Sequence, residues 1–358
     1  MRSLTIGERV IDDSSDCYVI AEIGHNHQGT LETCKDLFRA AAEAGAAAVK
    51  LQKRDNRALF TRAAFDAPYN SENAYGPTYG LHREALEFGW EEYVALRDYA
   101  KELGVHFFST AFDMPSADFL AKLDVPAFKM ASGDIRNIPL LTYVARFGKP
   151  MIVSTGTAAM EDVIRAYEAI MPINPQLCIL QCTAEYPAQW EDLNLRVIQT
   201  YRQHFPDIVV GLSSHDNGIA MALPAYMLGA RVIEKHFTLN RAWKGTDHAF
   251  SLEPTGLRKM VRDLERTRIA LGDGVKRTYP AEVAALGKMG KKVVAARDLP
   301  AGHVLAECDL AYKSPGDGLA PYEADNLVGK VLTRALREDD ALSFEIVRAQ
   351  VGLAASAG

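Results

Sequence analysis

From residue 17 onward, short β-branched apolar runs alternate with amphipathic stretches of helical length. The runs YVIAEIG (18–24), AAVKLQ (47–52), VHFFST (105–110), AFKMAS (127–132), PMIVST (150–155), LCILQCT (177–183), IVVGLSS (208–214) and ARVIEK (230–235) read as strands. Helical spacing of apolar positions marks LETCKDLFRAAAEAG (31–45), WEEYVALRDYAKELG (90–104), MEDVIRAYEAIM (160–171), NGIAMALPAYMLG (217–229) and LEPTGLRKMVRDLERTRIALG (252–272) as helices. Eight strand–helix units in roughly 255 residues predict an α/β fold with a parallel sheet closed as a (β/α)₈ TIM barrel. The rival, a doubly wound open sheet, calls for a Gly-rich dinucleotide turn after the first strand. The turn here reads GHNHQG and lacks the G-x-G-x-x-G spacing.

Two stretches depart from this rhythm. Residues 53–89 form a long polar, aromatic-rich insertion after the second strand. Long loops on the carboxyl side of a barrel are often functional, although a plain surface excursion is the alternative. After Gly272 the helical spacing stops. The barrel domain is therefore expected over 1–272, a linker or docking arm over 273–289, and a compact β-rich domain over 290–352. The pieces of that last domain are KKVVAARDLPAGHVL, DLAYKSPGDGL and NLVGKVLTRALREDDAL.

Composition narrows the function classes. The 358 residues carry a formal net charge of −6, which gives no electrostatic footprint for wholesale nucleic-acid binding. The five cysteines are odd in number and none forms a C-x-x-C pair, as suits a reducing compartment. MRSLTIGERV lacks a secretory apolar region, and no apolar run reaches the roughly 20 residues of a membrane helix. These features predict a cytoplasmic protein with neither nucleic acid nor membrane as partner.

Functional residues of such barrels gather at the carboxyl ends of the strands. Those ends carry Glu22, Lys50 with Gln52, Ser109 with Thr110, Lys129 with Ser132 and Asp134, and Ser154 with Thr155. Then come Cys182 with Tyr186, Ser213 to His215, and Glu234 to His236 followed by Asp247. Lys50 and Lys129, with the hydroxyls of Ser132, Ser154 and Ser213, form a candidate cradle for a phosphate or carboxylate. His215 and His236 end neighbouring strands, which lie about 4.8 Å apart, so both imidazoles can share one metal ion. Water and substrate oxygens would complete the shell, an arrangement suited to Lewis-acid work on a carbonyl. Nitrogen plus oxygen donors fit Mn²⁺, with Mg²⁺ or Co²⁺ as alternatives. Glu22, inside an apolar strand, reads as a general base or a hold on a substrate hydroxyl; the alternative is an ion pair with Lys50 or Lys129. HNH at 25–27 is too short to mark a nuclease, and GDG at 272–274 is turn chemistry.

The segments IAEIGHNHQG (20–29), AVKLQ (48–52), FFSTAFD (107–113), FKMASGDI (128–135), IVSTGTA (152–158), CTAEYP (182–187), GLSSHD (211–216) and IEKHFT (233–238) resemble the sialic acid (N-acetylneuraminate) synthase family, which includes a spore-coat polysaccharide branch. The tail resembles the antifreeze-like (SAF) module that ends these enzymes. The resemblance implies a transferase in which phosphoenolpyruvate condenses with an amino-sugar aldehyde, N-acetylmannosamine or a related aldose. The product is a 2-keto-3-deoxy nonulosonate such as N-acetylneuraminate, and phosphate leaves by C–O cleavage. It further implies a divalent metal, Mn²⁺ above all, on His215 and His236, and phosphoenolpyruvate on Lys50, Lys129, Ser132, Ser154 and Ser213. Glu22, Asp134 and Tyr186 would serve catalysis, Gln52 and Asp247 the sugar, and a domain-swapped homodimer would place one SAF module over the other barrel. Ser314 stands where many members carry arginine, and Ala184 where some carry asparagine. The competing readings are a Schiff-base aldolase using Lys129 or Lys50, and a non-catalytic carbohydrate-binding protein.

Overall fold

The computed structural model describes residues 2–350. Eight parallel strands close into a barrel, each paired with the next and the eighth with the first. They are β1 (Tyr18–Gly24), β2 (Ala48–Lys53), β3 (His106–Ala111), β4 (Phe128–Met130), β5 (Met151–Ser154), β6 (Leu177–Cys182), β7 (Val209–Ser214) and β8 (Val232–His236). Nearly all their residues are buried, because the interior is filled by side chains and helices cover the outside. The helix Leu31–Glu43 shows the logic: Cys34, Leu37, Phe38 and Ala41 fall on one face and are buried. A fully buried leucine or phenylalanine of this kind contributes about 1.5–3 kcal/mol.

The predicted barrel and small β-rich domain are both present, with local differences. A hairpin, Ser3–Ile6 with Arg9–Asp12, precedes the barrel. Its Leu4, Ile6 and Ile11 join the barrel core. Its Gly7 packs against His106, the first residue of β3, so the hairpin covers the amino-terminal end of the strands. β4 stops at Met130, and Ser132–Asp134 form a 3₁₀ turn instead of continuing the strand. The stretch expected as a helix over 217–229 is helical only over Ala222–Met227, with Gly218 at φ +90° before it. The insertion folds into three short helices, Asn56–Leu59, Arg62–Asp66 and Tyr79–Glu84. Each is started by a side-chain cap, from Asp55, Thr61 and Thr78 in turn.

The chain divides into two compact units, one ending at Gly272 and one beginning at Asp273. The second unit opens with a helix, Val283–Met289. Two antiparallel pairs follow, β9 (Lys292–Ala295) with β10 (Leu310–Lys313) and β11 (Val331–Leu332) with β12 (Val347–Arg348). Its own core holds Val293, Leu299, Leu305, Leu327, Leu332 and Leu342. Among the described residues no helix is long and apolar enough to cross a membrane. All five cysteines are free.

Candidate active site

A cavity of about 630 Å³ opens at the carboxyl ends of the barrel strands. Register explains its floor. Glu22 on β1 lies opposite Lys50 on β2 and His236 on β8, and Lys129 on β4 lies opposite Thr110 on β3. A register shift between Glu22 and Gly24 follows, the kind of irregularity that re-aims side chains next to active sites.

Two lysines and two carboxylates share this floor, all buried. Lys50 Nζ is 2.5 Å from Glu22 Oε2 and donates to Thr110 Oγ1 at 2.8 Å. Lys129 Nζ donates to Ser154 Oγ at 2.7 Å and to the Met130 carbonyl at 3.0 Å. Glu234 Oε1 lies 3.8 Å from both ammonium groups, and its second oxygen has no hydrogen-bond partner. Burial lifts the Glu22 carboxyl above its ordinary range, more than Lys50 lowers it, and Glu234 adds to the rise. Burial also acts to raise Glu234, but Lys129 and Lys50 outweigh it and hold that group below the usual range. Burial pushes the Lys129 ammonium down. The floor therefore holds two lysines and two carboxyl groups, of which burial makes Glu22 harder to ionise than usual and the lysines make Glu234 easier. The alternative expected for Glu22, an ion pair with Lys50, is what the side chains form, within the cavity lining.

The imidazoles of His215 and His236 approach with ring centroids 5.4 Å apart. His215 Nδ1 lies 2.9 Å from the Thr183 carbonyl, which fixes that nitrogen as the N–H and leaves Nε2 with its lone pair. His236 Nδ1 is buried without a hydrogen-bond partner, 3.7 Å from Asp247 Oδ2. Burial pushes His236 below its ordinary pKa, which favours the neutral ring, the form that binds metal. The Tyr186 ring lies 4.1 Å from that of His215 at the exposed rim. Among the described residues no group of three or more ligating side chains converges. Ring centroids 5.4 Å apart would allow the two imidazoles to share an ion only if water and substrate filled its other positions.

Polar residues continue the wall. Gln52 donates from Nε2 to Glu22 Oε1 at 2.7 Å and accepts from Arg54 at 2.6 Å. Ser132 Oγ accepts from the Gly156 amide at 2.9 Å, and Ser213 Oγ lies 3.4 Å from Glu234 Oε1. Glu22, Lys50, Gln52, Lys129, Ser132, Ser154, Tyr186, Ser213, His215, His236 and Asp247 all line this cavity. Asp134 does not, contrary to the role expected of it. The 3₁₀ turn brings Ser132 to the cavity, while Asp134 accepts from the Asn137 side chain at 3.1 Å behind it. Sequence reasoning gave no role to Glu234, although it lies at a strand end. It also missed Arg54 and Arg83, which line the cavity from the insertion. The insertion's length was the only signal for these two.

The NeuB family profile matches residues 37–276 and the SAF domain profile residues 292–347. The chain is 42% identical to the N-acetylneuraminate-9-phosphate synthase of Homo sapiens over 95% of each chain. It is 36% identical to the N,N'-diacetyllegionaminic acid synthase of Legionella pneumophila, over 94% of this chain and 96% of the other. Among solved structures it is similar to the N-acetylneuraminic acid synthetase of Leptospira borgpetersenii, with TM-score 0.68 and 32% identity over 79% of this chain and 95% of that one. It is similar as well to the spore coat polysaccharide biosynthesis protein spsE of Bacillus subtilis, with TM-score 0.66 and 31% identity over 98% and 100%. With its model matched over most of the barrel and these relatives aligned along nearly the whole chain, the protein belongs to the NeuB family.

Proposed function

We propose that this chain is a transferase that condenses phosphoenolpyruvate with an open-chain amino-sugar aldehyde to give a 2-keto-3-deoxy nonulosonate and phosphate. The observation that carries this reading is the meeting of Lys50, Lys129, His215 and His236 in one cavity. The names of the relatives, sialic and legionaminic acid synthases, support it. In the reaction C3 of phosphoenolpyruvate bonds to the aldehyde carbon, and the aldehyde oxygen becomes a hydroxyl by taking a proton. Water adds at C2, the C2–O bond breaks, and phosphate departs.

The residues divide this work by charge. Lys50 and Lys129 present ammonium groups to the anion, with hydroxyls from Thr110, Ser154 and Ser213 beside them. Glu22, lifted by burial, is suited to carry a proton at the aldehyde oxygen. Glu234, drawn below the usual carboxyl range by the lysines 3.8 Å away, limits the net positive charge of the floor. Gln52, Tyr186 and Asp247 line the same cavity and would meet the sugar. His215 and His236 would hold a divalent cation, Mn²⁺ with Mg²⁺ or Co²⁺ as alternatives. When bound, that ion supplies Lewis-acid polarisation of a carbonyl.

The test is phosphate release from phosphoenolpyruvate across a panel of mannosamine, hexose and pentose acceptors, with EDTA and with Mn²⁺ restored. No release with any acceptor refutes the reading. A Schiff-base lysine keeps one argument, the lowered Lys129 ammonium. Borohydride trapping with pyruvate separates the two, since only an imine gives a covalent adduct. We further propose a cytoplasmic homodimer in which the SAF module of one chain serves the barrel of its partner. Light scattering tests the dimer, and a monomer with full activity refutes it.

A further inference from the structure

The insertion sends two arginines to one end of the cavity, and their surroundings are incomplete. Arg54 is buried and Arg83 half-buried, and both line the cavity beside Gln52, Thr246 and Asp247. They flank a single imidazole. Arg54 Nη1 faces His25 Nε2 at 3.0 Å, and Arg83 Nη1 faces His25 Nδ1 at 3.0 Å. A guanidinium offers only N–H groups, and a neutral imidazole accepts at only one nitrogen. One of these contacts therefore sets N–H against N–H. Protonating His25 would add a third cation, and burial with the two arginines holds its pKa well down instead.

Carboxylates do not resolve the conflict. Among the described residues none lies within ion-pair reach of Arg83, and its Nε is buried with no partner. Glu87 sits 3.1 Å from Lys53 and only 3.9 Å from Arg54. Asp247 is engaged by the Thr246 hydroxyl at 2.8 Å and lies near His236. Stacking of Arg54 on Phe112, at 3.9 Å, and of Arg83 near Tyr79, at 5.0 Å, holds both forks in place. Arg54 Nη2 donates to Gln52 Oε1 at 2.6 Å and Arg83 Nη2 to the Tyr79 hydroxyl at 2.9 Å, which uses one N–H of each and leaves the second for another acceptor.

We infer that Arg54 and Arg83 form a second anion site, which takes a phosphate ester on the acceptor aldose. The inference rests on the condensation proposed above and names its second substrate. The lysine pair already accounts for the phosphate and carboxylate of phosphoenolpyruvate, so a further cationic pair in the same cavity calls for an anionic partner. Two planar forks match the oxygens of a phosphate monoester, which would give acceptors to the N–H groups that Gln52, Tyr79 and His25 leave over. The phosphate belongs at the end of the sugar away from the aldehyde, since the aldehyde must reach the lysine and histidine floor.

The experiment compares kcat/KM for N-acetylmannosamine 6-phosphate and N-acetylmannosamine, at saturating phosphoenolpyruvate and Mn²⁺. Wild type is expected to prefer the phosphate ester by roughly 100-fold or more, as for loss of two charge-assisted contacts. Arg83→Gln and Arg54→Gln are each expected to lower that preference about tenfold or more, a ratio that a purely structural role would leave alone. Wild type using the free sugar as well as the ester overturns the anion site and leaves the condensation standing. A folded Arg83→Gln with unchanged preference also overturns it. Turnover of neither sugar, nor of any acceptor in the panel, removes the condensation itself and this site with it. Should the glutamine variant not fold, Arg83→Lys is read in its place: a reduced preference supports the fork, and an unchanged one overturns it.

Discussion

Lys50 and Glu22 face each other across neighbouring parallel strands, with Nζ 2.5 Å from Oε2 and both side chains buried. The pair is complete without substrate, so an incoming anion must share Lys50 with Glu22. That relationship separates two effects of mutation. Lys50→Met removes the cation and leaves Glu22 beside Glu234 with less compensation. We expect KM for phosphoenolpyruvate to rise by roughly 30-fold or more, with a smaller change in the KM of the sugar. Glu22→Gln keeps the shape but cannot carry the proton, so kcat is expected to fall by about 100-fold with KM for phosphoenolpyruvate little changed. Steady-state kinetics with each substrate varied in turn decides both. Equal losses in the two KM values for Lys50→Met would remove Lys50 from the phosphoenolpyruvate site.

The histidine pair makes a separate prediction. His215→Ala and His236→Ala each remove one of the two imidazoles proposed to hold the ion. Turnover is expected to fall by about a thousandfold or more in each variant. Bound Mn²⁺, followed by electron paramagnetic resonance, is expected to weaken in parallel, while the far-ultraviolet dichroism of the barrel is kept. Near-normal rates in either variant would show that the rings do not hold the ion.

The residues that sequence reasoning placed well are those whose position follows from strand periodicity. Lys50, Lys129, Ser154, Ser213, His215 and His236 all stand at or beside strand ends, so a closed barrel brings them together. Asp134 was misplaced because β4 gives way to a 3₁₀ turn, and one turn changes which side chain meets the cavity. The hairpin over residues 3–12 was not read because four-residue strands joined by a two-residue turn carry too few positions to show a period. Arg54 and Arg83 lie 29 positions apart in a loop with no period, and only the fold sets both against His25. Glu234 shows a subtler loss. Its place at a strand end was legible, but its role depends on standing 3.8 Å from two lysines on β2 and β4.

Gly156 tests how tightly the Ser132 turn is held. A Cβ built there would sit 2.8 Å from Ser132 Oγ and 2.8 Å from Ala184 Cβ, closer than real contacts allow. Gly156→Ala must therefore move Ser132, Ala184 or its own backbone, at about 1–3 kcal/mol of stability. The Gly156 amide also donates to Ser132, so the hydroxyl is expected to leave its present position. KM for phosphoenolpyruvate is expected to rise several-fold and Tm to drop, as measured by kinetics and calorimetry. An unchanged KM beside a lowered Tm would mean that Ser132 does not touch this substrate.

The last prediction concerns the second unit and acid. Asp309 is buried and accepts from the Ala306 amide at 2.9 Å, from Arg297 Nη2 at 2.7 Å and from His303 Nε2 at 2.7 Å. Burial alone would raise this carboxyl, but the donors outweigh it and draw it down from 3.8 to about 2. A folded-state value below the unfolded one means that the ionised group stabilises the fold. That contribution is full above the unfolded value, near 3.8, and is lost as the pH falls through about 2. The exposed Arg297 screens part of it, leaving about 1–2 kcal/mol at neutral pH. Asp309→Asn places an amide N–H₂ among donors and is expected to destabilise the SAF unit by at least that amount at pH 7. Methyl signals of Leu299, Leu305 and Leu332, followed in the full chain during urea unfolding, report on this core. The gap between wild type and variant should narrow between pH 4 and pH 2. A gap that stays constant over that interval would show that Asp309 stabilises through shape alone and not through its charge.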